Sequence, residues 1–329
     1  TGFAGLRVNN LSNLLPKFVF YWLSSHYFQE IKNIYCNGTT QEAITIENLK
    51  KIPINCPTLN EQKQIISFLD KKLNEVNINI SKNKELISLL EEKKVALINQ
   101  CVTKGLNPNV PMKDSGVEWI GEIPEHWDII PFKRILKEIK DGTHGSFDRV
   151  TDGEFLLSAK NIFENKINIS SNESLINEED FNKIISNGFP KKNDLLLTIV
   201  GTIGRSCVYE YDYPLAFQRS VAFLRLENDV TVYFYNYLVQ SDFYINQLDL
   251  LSKVSAQKGV YLNDIKESFV FDVPINEQND IVNYLDINIS KIDLLINKVQ
   301  SQIDLLEEYK QSLIHHVVTG KVDVREVEV

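Results

Sequence analysis

The chain repeats itself. A segment that opens at Asn60-Glu61-Gln62 and closes at Val102-Thr103-Lys104-Gly105 returns, 216 positions later, as Asn276-Glu277-Gln278 to Val318-Thr319-Gly320-Lys321. Between these ends Ile65, Leu69, Asp70, Ile80, Ile87, Leu90, Glu91, Lys94, Leu97 and Ile98 each meet the same residue type at that offset of 216. A repeat of this length restricts the fold to two equivalent half-molecules. Two equivalent halves suit a target or partner set with approximate two-fold symmetry.

Each copy reads as one long helix. In the second copy Ile289, Ile292, Ile296, Val299, Ile303, Leu306, Leu313 and Val317 follow one another by threes and fours, with Lys310 in the remaining position. The same seam in the first copy is Leu73, Val76, Ile80, Asn83, Ile87, Leu90, Lys94, Leu97 and Cys101. A seam of this period needs a partner helix to cover it. The expected partner is the other copy, packed antiparallel. Asn60 and Asn276 read as N-caps, each followed by a glutamate that suits the positive end of a helix. Gly105 and Gly320 read as C-terminal stops. Asn83, Lys94 and Lys310 interrupt the apolar seam; they either fix its register or carry their polar ends to its rim.

The repeat extends upstream of the helices. Residues 18–23 resemble 234–239, 27–28 match 243–244, 38–41 match 254–257, and 46–50 match 262–266. Residues 1–56 therefore correspond to the last part of the segment that precedes the second helix. That segment is complete. It holds strand-like runs at 154–157, 194–200, 206–209 and 220–226, rich in β-branched and aromatic residues. Asp141-Gly142, Asp152-Gly153, Asn187-Gly188 and Gly201-Thr202-Ile203-Gly204 are turn signals between the runs. The predicted architecture is α+β, with mixed α/β domains joined by two long helices that form an antiparallel coiled coil. The predicted boundaries are 1–56 for the C-terminal part of a first domain, 57–110 for the first helix, 111–273 for a second domain and 274–329 for the second helix. The chain reads as a two-repeat protein whose first domain is truncated.

Composition excludes several classes. Cys36, Cys56, Cys101 and Cys207 show no C-x-x-C spacing, so they read as reduced thiols of a cytoplasmic protein rather than a disulfide frame or zinc site. No apolar run is long enough to span a membrane, and no signal peptide is visible, although the sequence opens at Thr1-Gly2 without a methionine. The formal charge of −9 is unusual for a free-standing nucleic-acid binder. It is compatible with a reader inside a larger complex, because phosphate contacts need only a local basic stripe. Gly201 to Arg205 lacks the G-x-x-x-x-G-K-[ST] pattern and reads as a tight turn. Asp141 and His144 have no nucleophile placed beside them, and adjacent His315-His316 lack metal-binding spacing. No N/D-P-P-[FYW] motif or Gly-rich S-adenosylmethionine loop occurs. No catalytic, metal or cofactor role is expected.

Four features together resemble one family, the specificity subunits of Type I restriction–modification systems. Residues 117–127 (Val-Glu-Trp-Ile-Gly-Glu-Ile-Pro-Glu-His-Trp) look like the opening motif of a target-recognition domain. Asn193-Asp194-Leu195-Leu196-Leu197 with Gly201-Thr202-Ile203-Gly204 resembles a hairpin of those domains. The Asn-Glu-Gln openings and the Val-Thr-Gly endings of the helices resemble the family's conserved spacers. The resemblance implies that each recognition domain reads half of a bipartite DNA site, that the coiled coil sets their spacing, and that the chain itself is not an enzyme. It implies DNA, a pair of methyltransferase subunits and restriction subunits as partners. A second copy of the chain is a further candidate partner, because the first recognition domain lacks its opening motif. A coiled-coil assembly scaffold, or a remnant of a rearranged specificity gene with impaired DNA reading, is the alternative.

Base reading requires donors and acceptors presented on polar turns. In the complete domain these are Thr143, His144, Lys160, Asn161, Arg205, Gln218 and Arg219. Lys133, Arg134, Lys137, Lys191 and Lys192 are candidates for phosphate contacts, which position a protein without reading sequence. Trp119, Ile120, Ile123, Pro124 and Trp127 form an apolar cluster, read as a plug that anchors the domain to the helices in preference to a methyltransferase docking surface.

Overall fold

A computed structural model describes residues 5–9, 13–36, 44–117, 120–252 and 258–325. Trp119 and the matched segments 38–41 and 254–257 lie outside the described residues. In chain order the helices α1 (Pro16–Leu23), α2 (His26–Tyr35) and α3 (Ile46–Leu49) precede the rod α4 (Leu59–Lys104). Strands β1 (Met112–Asp114), β2 (Glu122–Pro124), β3 (Asp128–Pro131) and β4 (Leu136–Asp141) follow. After them come β5 (Glu154–Leu157), β6 (Ile162–Phe163), β7 (Lys166–Ile167), β8 (Leu175–Ile176), α5 (Glu178–Ser186), β9 (Leu195–Thr198), β10 (Ser206–Val208), β11 (Ala216–Phe217) and β12 (Val221–Leu226). Helices α6 (Val232–Gln240), α7 (Asp242–Leu251) and α8 (Leu262–Glu267), strand β13 (Phe269–Asp272) and the second rod α9 (Ile275–Val318) complete the chain. The expected strands all form, whereas the helical character of α5 to α7 was not specified by the turn-and-strand pattern.

The chain divides into two units. The first comprises residues 1–91 and 293–329, the second residues 92–292. In the first unit the predicted seam is present and antiparallel. Leu69 and Leu73 share a core with Ile314 and Val317, while Val76, Ile80 and Ile87 meet Ile303 and Leu306, so rising numbers on α4 face falling numbers on α9. Lys310 Nζ lies 3.2 Å from Glu307 Oε2 of its own helix, which favours the rim role over register-setting for this residue. At about 1.5 Å per residue, the 46 residues of α4 make a rod of roughly 70 Å.

The Asn-Glu-Gln openings have a different purpose from the one the sequence suggested. Asn60 and Asn276 lie inside the first helical turn rather than at the cap. For α4 the cap is Thr58: its Oγ1 accepts from the Glu61 N–H, and Glu61 Oε2 accepts from the Thr58 N–H at 2.9 Å, a reciprocal capping box. The buried glutamine is the structural residue. Gln62 Oε1 accepts from the Leu15 N–H at 2.7 Å, and its Nε2 donates to the Pro57 carbonyl at 2.8 Å. At the offset of 216, Gln278 Oε1 accepts from the Thr231 N–H at 2.8 Å and Nε2 donates to the Val273 carbonyl at 2.7 Å. Each glutamine thus ties the start of a rod to the start of α1 or α6, satisfying backbone groups that burial would otherwise strand.

The second unit is built around a four-stranded antiparallel sheet of order β10-β9-β12-β4, with a smaller sheet β11-β5-β8 and the pair β13-β3. Leu195, Leu197, Ala222 and Leu224 pack with Phe234, Leu238 and Val239 of α6 and with Ile281, Leu285 and Ile289 of α9. The C-terminal residues Ile98, Cys101 and Val102 of α4 complete the same core. Trp127, fully buried, is the predicted plug: its indole N–H donates to Glu277 Oε2 at 3.0 Å and its ring packs 5.8 Å from Phe271. Gly105, at φ +71°, meets this indole; a Cβ there would lie 2.9 Å from Glu277 Oε1, so the helix stop also clears space for the plug.

Candidate nucleic-acid interface

Strand direction sorts the candidate residues. β4 and β9 end where β10 and β12 begin, because Asp141 pairs with Ala222, Thr198 with Val221, and Ser206 with Leu197. At this end of the sheet lie Thr143 and His144 after β4, Arg205 before β10, and Gln218 and Arg219 before β12. Backbone bonds hold them together. The Thr143 N–H donates to the Phe217 carbonyl at 2.8 Å, and the Arg219 N–H donates to the Thr143 carbonyl at 2.9 Å. Gly142 is required here by close approach, since a Cβ would sit 2.2 Å from the Phe217 carbonyl oxygen. Lys160 joins the group because the neighbouring Ala159 N–H donates to Ser220 Oγ at 3.0 Å.

The side chains differ in how freely they face outward. His144, Arg205 and Arg219 are exposed. Among the described residues neither Arg205 nor Arg219 has a carboxylate partner. The Arg205 guanidinium lies 5.3 Å from the centroid of Phe163, whose ring is 48% exposed, a cation–π arrangement that leaves the guanidinium edge open. His144 Nε2 is 2.8 Å from Asp141 Oδ2, a pair that orients the imidazole at the tip of its turn. Lys160 pairs with Glu173 at 2.5 Å. Burial of that carboxyl pushes its pKa up, but hydrogen bonds from Lys160, Asn161 and the Ser174 N–H outweigh it and leave Glu173 below the usual carboxylate range.

Asn161 does not fit its expected role of reading a base. It is buried; its Oδ1 accepts from the Ser158 N–H, and its Nδ2 donates to the Asn168 carbonyl and to Glu173. Its polar atoms are all committed, so it shapes the turn that presents Lys160. Nor does the structure bring Lys133, Arg134, Lys137, Lys191 and Lys192 to this end. They lie at or near the starts of β4 and β9, the far end of the same sheet. There Lys133 pairs with Glu267 and Lys192 with Asp212. That end is organised around Arg225, which binds Asp194 at 2.8 Å and also Glu138; Asp194 first, then the coulombic pull of both carboxylates, holds the guanidinium above its usual pKa.

Two further residues lie at this end of the sheet that the sequence reading did not single out. Phe163 sits on the hairpin β6-β7, whose turn places Glu164 and Asn165 at φ 51° and 61°; an aromatic flanked by Asn161 and Glu164-Asn165 was the available signal. Lys258 immediately precedes Gly259, which bridges Val200, and lies beside the 201–204 turn; its carbonyl accepts from the Gly201 N–H and its Nζ pairs with Asp249 at 2.8 Å. Only tertiary pairing identifies it. Burial pushes the Cys101 and Cys207 thiols up to about 11 and about 12, which makes both inert packing groups. Among the described residues no group of three or more His, Cys, Asp or Glu is placed to hold a metal ion, and no helix is long and apolar enough to cross a membrane.

Comparison with known proteins gives one consistent result. Residues 1–88 match the sequence profile of the Type I restriction modification DNA specificity domain. The Type I restriction enzyme EcoBI specificity subunit of Escherichia coli is 24% identical over 311 residues, covering 92% of this chain and 65% of that protein. A putative type I restriction enzyme MjaX specificity subunit of Methanocaldococcus jannaschii is 25% identical over 333 residues, covering 96% of this chain and 70% of that protein. The chain thus spans about two thirds of the length of these relatives. In fold it is similar to a chain from a structure describing complex assembly and conformational transition of the type I R-M system, with a TM-score of 0.70 at 16% identity, covering 93% of this chain and 72% of that one. It is also similar to the HsdS subunit from Thermoanaerobacter tengcongensis, with a TM-score of 0.52 at 17% identity, covering 95% and 72%. The repeated helices, the opening motif and these relatives agree: over most of its length the chain is similar to Type I restriction–modification specificity subunits.

Proposed function

We propose that this chain is a DNA-recognition subunit that directs the methyltransferase and restriction subunits of a Type I complex to a bipartite site. It works in the cytoplasm, carries no catalysis of its own, and presents two equivalent rod surfaces to two methyltransferase subunits. The observation that carries this reading is the convergence of Thr143, His144, Lys160, Arg205, Gln218 and Arg219 on one end of one sheet. Two arginines there lack carboxylate partners among the described residues, and arginine is the side chain best suited to bidentate contact with guanine in the major groove. Partner subunits bring part of the positive charge that the −9 chain lacks.

The test is selection from a randomised duplex library by the chain co-purified with its methyltransferase, repeated with Arg205→Ala and Arg219→Ala. Each substitution is expected to weaken or relax one position of the selected site by about 1–3 kcal/mol, with the fold unchanged by circular dichroism. Undiminished affinity and an unchanged selected sequence in both variants would remove this end of the sheet as the reader.

A further inference from the structure

The hairpin β6-β7 points one side chain inward and the next outward, as alternation along a strand requires. Ile162 is fully buried in the core beside Cys207 of β10, and Phe163 keeps 48% of its surface in solvent. The exposed member is nevertheless held in place. Ile162 pairs with Ile167 and Phe163 with Lys166, so Glu164 and Asn165 form a two-residue turn. Both adopt the left-handed backbone that such a turn needs, at φ 51° and 61°. The Phe163 carbonyl accepts from Asn168 Nδ2 at 2.8 Å.

The hairpin and the strand that follows Arg205 are fastened to one buried side chain. Asn236 of α6, 2% exposed, donates from Nδ2 to Asn165 Oδ1 at 2.6 Å and accepts at Oδ1 from Ser206 Oγ at 2.8 Å. Asn165 is in the hairpin turn, and Ser206 comes directly after Arg205. Asn236 thereby fixes Phe163 relative to Arg205, and the guanidinium rests over the ring.

What this pair can read follows from the plane of the guanidinium. An arginine that donates to guanine O6 and N7 lies close to the plane of that base pair, because the fork is planar and bidentate. A ring over its face then stands beside the neighbouring pair, about 3.4 Å along the duplex. The apolar group on that edge of the major groove is the C5-methyl of thymine. The other bases present donors and acceptors that a phenyl ring would desolvate without replacing.

We propose that Phe163 is a specificity-determining residue, and that Arg205 and Phe163 together read a guanine with a thymine on the adjacent base pair, the ring covering the thymine methyl. The inference rests on the DNA-recognition role proposed above and adds a second base to it, one read by apolar contact.

The test uses the chain co-purified with its methyltransferase and the duplex that it selects from the randomised library. Thymines are replaced one at a time by deoxyuridine, which removes the methyl and keeps every hydrogen-bonding group. At one position, beside the guanine that Arg205→Ala relaxes, deoxyuridine is expected to weaken binding about fourfold, the effect of one buried methyl-sized group. Phe163→Ala should bind the thymine and deoxyuridine duplexes equally while still selecting the guanine. Phe163→Leu should retain part of the difference. Phe163 is exposed, so neither change removes core packing. Deoxyuridine without effect beside that guanine, or a thymine preference that survives Phe163→Ala, would overturn the inference and leave Arg205 as a reader. A selected sequence unchanged by Arg205→Ala would instead overturn the role assigned to Arg205, and the inference with it.

Discussion

The two units run the same joints through different surroundings. Gln62 and Gln278 make matching pairs of hydrogen bonds. Tyr21 donates to Asp70 at 2.5 Å and Tyr237 to Asp286 at 2.6 Å. Ser25 and Ser241 each bond the carbonyl three residues back, at 2.6 Å. Yet Leu49 and Ile54 are half-buried where Ile265 and Val270 are fully buried. The contrast teaches which part of the fold specifies which. Polar joints fix how α1, α2 and α3, or α6, α7 and α8, meet their rods, and they persist without a covering sheet. The sheet adds burial and the interface.

The most damaging way to separate the units is to remove the plug from one of them. Trp127→Ala deletes a fully buried indole and one of the two side-chain partners of Glu277, leaving it His126 at 2.8 Å. An aromatic-to-alanine change in a core costs about 3–5 kcal/mol. Hydrogen exchange should rise across β9 and β12 while α1 and α2 keep their protection. Equal loss in both regions would mean that the units unfold as one, and the comparison would have to be abandoned.

The glutamines sharpen it further. Gln62→Ala takes the partner from the Leu15 N–H and from the Pro57 and Asn13 carbonyls, and Gln278→Ala takes it from the Thr231 N–H and the Val273 carbonyl. A stranded polar group costs about 1–3 kcal/mol. The two variants should lose similar stability in urea denaturation. A large cost for Gln278 with none for Gln62 would show that the matching joints do not carry matching stability.

Much of this was legible in the sequence because the repeat supplied an internal reference. The seam, read from threes and fours, matches the buried and half-buried positions from Leu73 to Cys101 and from Ile289 to Val317. The strands were legible from their β-branched runs. The caps were not: Asn60 looks like a cap by type, but the chain already enters the helix at Leu59, and Thr58 with Glu61 outcompetes it. The site was half legible. Residue chemistry put Arg205 and Arg219 forward, and the sheet brings both to one end, but it could not tell which polar residues are consumed inside, as Asn161 is, or which end of a sheet a lysine occupies. Those depend on register, which is set by long-range pairing such as Thr143 with Gln218.

The smallest expected effect comes from one position that differs between the copies. Asn99 of α4 corresponds to His315 of α9. Asn99 exchanges two hydrogen bonds with Asp242, at 2.6 and 2.8 Å. His315 instead faces His26 at 6.3 Å between ring centroids, with Lys321 Nζ 3.1 Å from its Nε2. Burial, then the cationic neighbours Lys321, His316 and His26, hold the His315 pKa below the usual imidazole value, and Glu30 opposes them weakly. A base whose folded pKa is depressed favours its neutral form in the folded state. Its contribution is complete above the unfolded value of about 6.5 and is lost as pH falls through the lower folded pKa, since the unfolded chain then takes up protons that the folded chain refuses. Between pH 7.5 and 5.5, protection of α2 should therefore fall while protection of α7 stays level. His315→Asn, which copies Asn99, should flatten the difference. A pH response of equal size in both helices would show that the imidazole is not its source.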